Sequence, residues 1–352
     1  REVLATTRLE ALGVNTSKTF ALIETGEALY RGDEPSPTRS SVMTRLSHGH
    51  IRIGSFQRPY FLQEQDNLQA LIAYACRTYA PAIYQAAYVD EGGAGAVMAA
   101  PLFLRWVGQN CANTVADWFA AGFVHGVLNT DNINITGESF DYGPYRFLEQ
   151  MDPNKVAAYF DHSGLYAFGR QPEAVFWNLQ QLAGALVTLS DQDAIIEALR
   201  SYNDTLSQAV ESRLFQRLGL ASSGRPETDQ PFLQNLLATL RSSRAPLDDT
   251  LHRAFGGREW PQGDAWADVR ARAGDFQPVD RRQLDQPYFQ SSHATTLAYD
   301  EIEALWEPIA EQDDWSQFEA KLAQTETMAQ AYGFSPISAD DGSLALQSAQ
   351  SG

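Results

Sequence analysis

The sequence contains little lysine, little cysteine and no long apolar run. Lysine occurs only at positions 18, 155 and 321, so arginine supplies nearly all of the positive charge. Two cysteines, Cys76 and Cys111, are too few for a disulfide framework or a four-cysteine zinc site. No stretch of about 18 apolar residues is present, which argues against a membrane-spanning helix. Without a signal-peptide pattern at its start, the sequence predicts a cytoplasmic protein that does not bind membranes.

The chain is strongly acidic. It carries 44 Asp and Glu against 26 Lys and Arg, a formal net charge of −18. A protein that binds a phosphate backbone needs the opposite sign, so nucleic acid is not expected as a partner. The 352 residues, 44% of them hydrophobic, suffice for one large or two medium domains. Because the first residue is arginine and not methionine, we expect a fragment or a processed form.

Sequence patterns predict a mostly helical α+β protein. A strand-bearing start precedes a central polar loop and a large helical body. Predicted strands cover 19–24, with a turn at Gly26, then 42–45 and 50–53, and residues 31–41 and 90–95 are predicted as connections. Predicted helices cover 1–12, 66–79, 98–121, 192–218, 231–242, 297–311 and 314–332, with a further helix starting at 171. The small, polar stretch 335–352 is predicted to be disordered.

The central loop, residues 125–144, carries the clearest chemical pattern. Residues 132–135 alternate like a strand, turn at Thr136-Gly137 and return through Phe140, which predicts a hairpin. Such a hairpin would bring Asn132 and Asp141 to the same end. An amide oxygen and a carboxylate oxygen are suitable ligands for Mg²⁺. Taken alone, these residues are more typical of ordinary turns.

The same loop shares its spacing with kinase-like phosphotransferases. His125 and Asn132 keep the seven-residue separation of a kinase catalytic loop, and Asp141-Tyr-Gly occupies the place of Asp-Phe-Gly. However, Val127 stands where a kinase has its catalytic aspartate, and it cannot act as a base. A carboxylate occurs instead at Asp131. This departure disfavours an ordinary protein kinase and a small-molecule kinase.

Several ordered motifs resemble selenoprotein O and its bacterial relatives. The resemblance covers about residues 1–190 and weakens beyond 200. Its motifs are Arg1-Glu2, Leu12-Gly-Val-Asn-Thr-Ser17, Thr25-Gly-Glu27, Arg45-x6-Arg52-x-Gly-Ser-Phe56, His125-Gly-Val-Leu-Asn-Thr-Asp-Asn132, Asp141-Tyr-Gly-Pro144, Asp161-His-Ser-Gly164 and Gln171-Pro…Trp177-Asn-Leu179.

The resemblance implies a protein-kinase-like fold and an AMP-transferring activity. Residues 1–60 would be a remnant of the N-lobe, and residues 61–334 the helical C-lobe. Family members transfer AMP from ATP to Ser, Thr or Tyr hydroxyls of proteins, with Mg²⁺ as the expected ion and Mn²⁺ as the alternative. By position, Asp131 corresponds to the proton acceptor of the family, and Asn132 and Asp141 correspond to its metal ligands, with Asp141 near the phosphates. Arg45 and Arg52 correspond to the pair that binds the phosphates. Glu2 corresponds to the helix glutamate that pairs with a strand lysine.

Some family features are not found. The glycine-rich loop, the strand lysine and a Gly-Asp-Gly stretch would precede Arg1, and Lys18 follows the helix of Glu2 and cannot replace that lysine. We therefore expect weak ATP binding and low or no activity for the chain as written, and a non-catalytic nucleotide-binding or interaction protein is the alternative function. Leu165 and Arg170 replace the usual Arg and Asn, and the C-terminal Sec or Cys of the family is missing.

The remaining polar motifs are predicted to be structural. His48-Gly-His50 is expected to be a loop because no third metal ligand lies near it. His125 is expected to brace the catalytic loop, and Asp161-His162 to form architectural hydrogen bonds. Trp177 is predicted to belong to an apolar core stripe with residues 176, 179, 182 and 186.

Overall fold

Helices dominate the computed structural model, which describes residues 1–30, 36–90 and 92–334. The predicted tail, 335–352, lies outside these residues. The helices are α1 (Glu2–Ala11), α2 (Gly54–Phe61), α3 (Gln65–Tyr79), α4 (Pro81–Tyr84), α5 (Ala96–Ala120), α6 (Gln171–Leu186), α7 (Gln192–Leu218), α8 (Pro226–Ser243), α9 (Leu247–Ala254), α10 (Ala267–Ala273), α11 (Pro287–Gln290), α12 (Tyr299–Gln312) and α13 (Ser316–Tyr332). The strands are β1 (Lys18–Leu29), β2 (Thr38–Leu46), β3 (Phe123–Val124) and β4 (Arg146–Phe147). A π-helical turn covers Gln85–Val89, and single 3₁₀ turns cover Phe168–Arg170, Phe255–Gly257, Asp264–Trp266 and Arg281–Asp285.

The predicted fold class, α+β and mostly α, is confirmed, and so are the long predicted helices. Their apolar faces recur with helical period, which the sequence shows directly. The short helix α2 was not predicted, because it contains Pro59 in only eight residues. A proline normally interrupts a helix. No helix in the described part of the chain is both long and apolar enough to cross a bilayer.

Strands β1 and β2 form an antiparallel hairpin that is longer than predicted. The predicted turn at Gly26 is wrong, because β1 continues to Leu29. The ladder is irregular between Glu24 and Ala28, and Gly26 has φ +75° in this stretch. A bulge at a glycine lets a strand continue where a turn was expected. The predicted connection 31–41 is also too long, because its last four residues belong to β2, which starts at Thr38. Residues 31–35 lie outside the described residues.

The hairpin predicted for residues 132–141 is wrong in its pairing. Its turn exists, because Gly137 N donates to Asn134 O at 2.9 Å. The two arms pair with other segments instead of with each other, and residues 50–53 form no strand of their own. The hydrogen bonds are Ile53 N to Ile133 O (3.0 Å), Ile135 N to Ile51 O (3.1 Å), Ser139 N to Asn15 O (2.8 Å) and Ser17 N to Ser139 O (3.1 Å).

The main hydrophobic core lies around α5. Phe103, Leu179 and Leu182 are fully buried in it, together with residues of α1, α3 and α7. A second core surrounds α8, α9 and α10, with Phe232 and Leu236 at its centre. Burial of each such side chain stabilises the fold by about 1.5–3 kcal/mol. The central loop therefore rests on a rigid helical base.

Trp177 does not pack in the core as predicted. Its surface is 52% exposed, whereas Leu179, Leu182 and Leu186 of the same helix are fully buried. Residues 179, 182 and 186 follow the helical period, but position 177 is rotated away from that face. The prediction for Trp177 was therefore wrong.

Candidate functional site

Strands β3 and β4 close the base of the central loop. Phe123 pairs with Phe147, and Val124 with Arg146, so residues 125–145 leave and re-enter the fold at one place. Tyr142 packs edge-on against Phe123, with ring centroids 5.4 Å apart. Buried aromatic side chains thus form the base of the loop, and the polar residues lie in the rest of the loop.

His125 braces the loop, as predicted. It is fully buried, and its Nε2 lies 2.9 Å from the carbonyl oxygen of Phe140. Burial lowers the pKa of His125, so the imidazole is neutral and Nε2 donates to this carbonyl. Gln171 completes the brace, since its Oε1 accepts from His125 N and its Nε2 donates to Phe123 O, both at 2.9 Å.

Asn132 is held by the loop itself. Its Nδ2 donates to the carbonyl oxygen of Val127 at 3.1 Å. This bond holds the amide in place, and Oδ1 accepts no hydrogen bond from a described residue. A free amide oxygen in a fixed orientation suits a hard cation.

Asp131, in the central loop, lies beside Gly54, the first residue of α2. Its backbone N donates to Asn129 Oδ1 at 2.9 Å, and its side chain is exposed. A Cβ added at Gly54 would lie 2.4 Å from Asp131 Oδ1. Gly54 N also donates to Thr130 O at 2.9 Å. The carboxylate therefore occupies space that only glycine leaves open.

Arg52 connects the β2–α2 segment to this loop. Its Nη1 donates to the carbonyl oxygen of Asp131 at 3.1 Å. Two residues predicted for one site are thus in direct contact. The interaction uses the backbone of Asp131 and leaves its carboxylate unengaged by Arg52.

Glu2 and Arg45 form an ion pair, with Arg45 Nη1 2.9 Å from Glu2 Oε2. Arg45 also donates to Ser17 Oγ and lies 5.3 Å from the ring centroid of Tyr142. Burial raises the pKa of Glu2, Arg45 opposes that shift, and the charge of Asp141 adds to it. Glu2, Arg45 and Asp141 therefore share one electrostatic neighbourhood beside the central loop.

Asp141 is exposed and has φ +63°, a conformation that few residues other than glycine adopt. It forms no ion pair with a described residue. Burial lowers the pKa of His125 and raises that of Glu2, and the charge of Asp141 opposes the first shift and adds to the second. The backbone of this turn, and not a side-chain partner, fixes the position of Asp141.

A cation site built from Asn132 and Asp141 alone would be incomplete. The described residues contain no group of three or more His, Cys, Asp and Glu side chains able to hold a metal. Mg²⁺ in nucleotide sites commonly takes one or two protein oxygens and completes its shell with phosphate oxygens and water. Each of these two residues supplies an oxygen of the kind that such an ion takes.

Two contacts of the site could not be predicted from the sequence. Ser17 holds Arg45, and Gly54 makes room for Asp131. Both belong to noted motifs, Asn15-Thr-Ser17 and Gly54-Ser-Phe56, but nothing in either motif revealed its contact across the fold. Lys18, in contrast, pairs with Glu10 at 2.9 Å and not with Glu2, as expected.

The hydrogen bonds of the His48 and Asp161 motifs are of a structural kind. His48 lies in a loop, with Nδ1 3.2 Å from Glu138 Oε1. The carboxylate of Asp161 accepts backbone N–H bonds from Leu165 and Tyr166, both at 2.8 Å.

Comparison with known proteins identifies relatives along most of the chain. A family model described as "Protein adenylyltransferase SelO" matches residues 1–257. A protein nucleotidyltransferase YdiU of Synechocystis sp. is 36% identical over 343 residues, which cover 90% of this chain and 70% of that protein. The YdiU proteins of Trichodesmium erythraeum and of a Bradyrhizobium species are 35% and 32% identical, over 92% and 97% of this chain and 71% and 70% of theirs. The family model thus extends to residue 257, although the resemblance was expected to weaken beyond residue 200.

Proposed function

Because the chain belongs to the SelO family of protein adenylyltransferases, we propose that it transfers AMP from ATP to a Ser, Thr or Tyr hydroxyl of a protein. The enzyme is a nucleotidyltransferase, and ATP and a protein are its substrates. The observation that carries the assignment of the site is the 3.1 Å contact between Arg52 and Asp131. It brings an arginine suited to phosphate beside a carboxylate suited to a hydroxyl.

Asp131 acts as the proton acceptor. The substrate hydroxyl loses its proton to the Asp131 carboxylate while its oxygen forms a bond to the α-phosphorus of ATP. The bond between that phosphorus and the oxygen bridging to the β-phosphorus breaks, and pyrophosphate leaves with the electron pair. Exposure of Asp131 and its fixed backbone let a bulky protein substrate reach it.

Arg45 and Arg52 bind the phosphates that leave. A guanidinium keeps its charge at any working pH and presents several N–H donors in one plane. One N–H group of Arg52 donates to Asp131 O, and two N–H groups of Arg45 donate to Glu2 and Ser17. The donors that remain can neutralise charge on the leaving pyrophosphate, which is a large part of catalysis of this chemistry.

Asn132 and Asp141 would hold Mg²⁺, with Mn²⁺ as the alternative ion. Their free oxygens, one neutral and one charged, support this assignment. When bound, the ion neutralises phosphate charge and orients the α-phosphate. Asp141 also adds negative charge beside Glu2, which a bound cation would offset.

Incubation of the intact gene product with α-labelled or γ-labelled ATP tests the proposal. We expect label in protein only from the α position. Asp131→Asn should lower the transfer rate by about 10²–10⁴-fold, and Asp141→Ala should abolish the Mg²⁺-dependent transfer. Asp204→Asn, an exposed change on α7, is the matched control. Label from the γ position alone would indicate a kinase, and no transfer of either label would favour a non-catalytic nucleotide-binding protein.

A further inference from the structure

A rigid turn follows the central loop. Asp161 is 9% exposed, and its two carboxylate oxygens accept the N–H groups of Leu165 and Tyr166 at 2.8 Å. Gly164 N also donates to Asp161 O at 3.2 Å. One buried carboxylate that holds several N–H groups fixes the backbone of the whole turn.

This fixed turn presents apolar side chains to solvent. Tyr159 is 72% exposed, Phe160 51% and Leu165 46%. The rings of Tyr159 and Phe160 contact each other edge to face, with centroids 5.4 Å apart. Clustered apolar side chains on an ordered surface segment commonly mark an interaction site. We call Tyr159, Phe160 and Leu165 the apolar turn surface.

The apolar turn surface lies next to the catalytic loop. A Cβ added at Gly126 would lie 2.9 Å from Ala157 Cβ and 3.5 Å from Ala158 N, so these two alanines pack directly on the loop. Tyr159 is the next residue. Gly126 precedes Val127, whose carbonyl oxygen holds Asn132. The exposed rings and the proposed metal ligand are therefore joined through one packed segment.

The charge around the site favours a substrate segment that is not acidic. Asp131 and Asp141 are both exposed, and the whole chain has a net charge of −18. An acidic peptide would be repelled, whereas a neutral or basic one would be attracted. The apolar turn surface adds a contact that an apolar side chain can make.

We propose that the apolar turn surface receives the polypeptide segment of the protein substrate that carries the modified hydroxyl. The segment has an apolar side chain a few residues from the hydroxyl and a neutral or basic remainder. Leu165 contributes to this choice, because a leucine offers no partner to a charged side chain. The inference rests on the proposed function and specifies which protein segments the site accepts.

Fluorescently labelled peptides test the proposal with the intact gene product. Each peptide carries one Thr, a basic remainder, and either Leu or Glu placed in turn at each flanking position. Binding is measured by anisotropy, and AMP transfer by label from α-labelled ATP. We expect one or two positions at which Leu strengthens binding and lowers the peptide KM. Phe160→Ser should weaken binding of the preferred Leu peptide by about tenfold, as for truncation of an interface aromatic, and should leave the KM for ATP unchanged.

Two further variants sharpen the test. Leu165→Glu should shift the preference at the selected position from Leu to Arg, which loss of folding cannot do. Trp306→Ser, which removes a 40% exposed aromatic side chain from α12, should change nothing. Equal peptide affinity in Phe160→Ser and the unmodified protein, with AMP transfer intact, would overturn the inference alone. Absence of AMP transfer despite peptide binding that depends on Phe160 would overturn the proposed function alone.

Discussion

Arg52 Nη1 and the carbonyl oxygen of Asp131 lie 3.1 Å apart, although the two residues are separated by 79 positions. The bond joins the segment before α2 to the catalytic loop. It positions an arginine at the loop without neutralising the carboxylate beside it. In the function proposed above, Arg52 is therefore available to a phosphate and the Asp131 carboxylate to a hydroxyl.

Replacement of Arg52 by lysine should impair ATP use even though the charge is kept. Lysine is a point charge and cannot contact Asp131 O and a phosphate with a planar fork. We expect the KM for ATP to rise by about tenfold, since a lost charged hydrogen bond costs about 1.5–3 kcal/mol. Titration of ATP in the transfer assay measures this. Arg105→Lys, an exposed change on α5, is the control, and equal KM values in both variants would contradict the role of Arg52.

Gly54→Ala should lower the rate of AMP transfer without lowering stability. Its new Cβ would lie 2.4 Å from Asp131 Oδ1, so the exposed carboxylate must move. Displacement of a base by about 1 Å can cost about 10²-fold in rate. The assay is kcat together with the thermal midpoint. Gly184→Ala, on α6 with no atom within 4 Å of the new Cβ, should keep full activity. Full activity in Gly54→Ala would show that Asp131 needs no fixed position.

Asp117 should make the stability of the folded protein depend on pH. It is ion-paired with Arg213, yet burial raises its pKa to about 6. Because the folded-state pKa exceeds the unfolded value, stability from this group is greatest below about pH 4 and is lost as the pH rises to about 6. The loss is roughly 3 kcal/mol, from about two pKa units.

Asp117→Asn should remove this dependence. Relative to the unmodified protein, the variant should gain stability as the pH rises from 4 to 7, measured by urea unfolding at each pH. Asp204→Asn, exposed on α7, should show no such trend. A relative loss of stability toward pH 7 would mean that the ion pair with Arg213 outweighs burial.

Asp248 should be required for stability. Its two oxygens contact Arg8 Nη2 at 2.6 Å and Arg217 Nη2 at 3.0 Å, which joins α1 to α7 and α9. Both arginine side chains are at least 95% buried. Asp248→Ala would leave two buried arginines without the carboxylate that balances their charge, and should cost about 3–5 kcal/mol in unfolding free energy.

Urea unfolding measures the effect of Asp248→Ala. Glu259→Ala, which breaks the exposed pair with Arg253, is the control and should change little, because such pairs contribute little. Equal unfolding midpoints for the two variants would show that the buried arginines are solvated or paired differently.

The helices and the spacing of the catalytic loop could be predicted, whereas several pairings could not. The prediction for α7, residues 192–218, has the same bounds as the structure, because its apolar residues recur within the helix itself. Residues 132–141 looked like a hairpin since they contain a strand-like run and a turn. Their arms bond to Ile51, Ile53, Asn15 and Ser17, and that choice depends on segments far away in sequence.

By itself, the sequence determined the mostly helical fold, the turn at Gly137 and the order of the motifs that place the chain in its family. Each depends on residues within a few positions of one another, whose periodicity and turn preferences are local. Only the tertiary structure decided that Glu2 pairs with Arg45, that Arg52 reaches Asp131, and that Trp177 faces solvent. These contacts depend on how distant segments pack, and that is set by burial and loop closure across the whole chain.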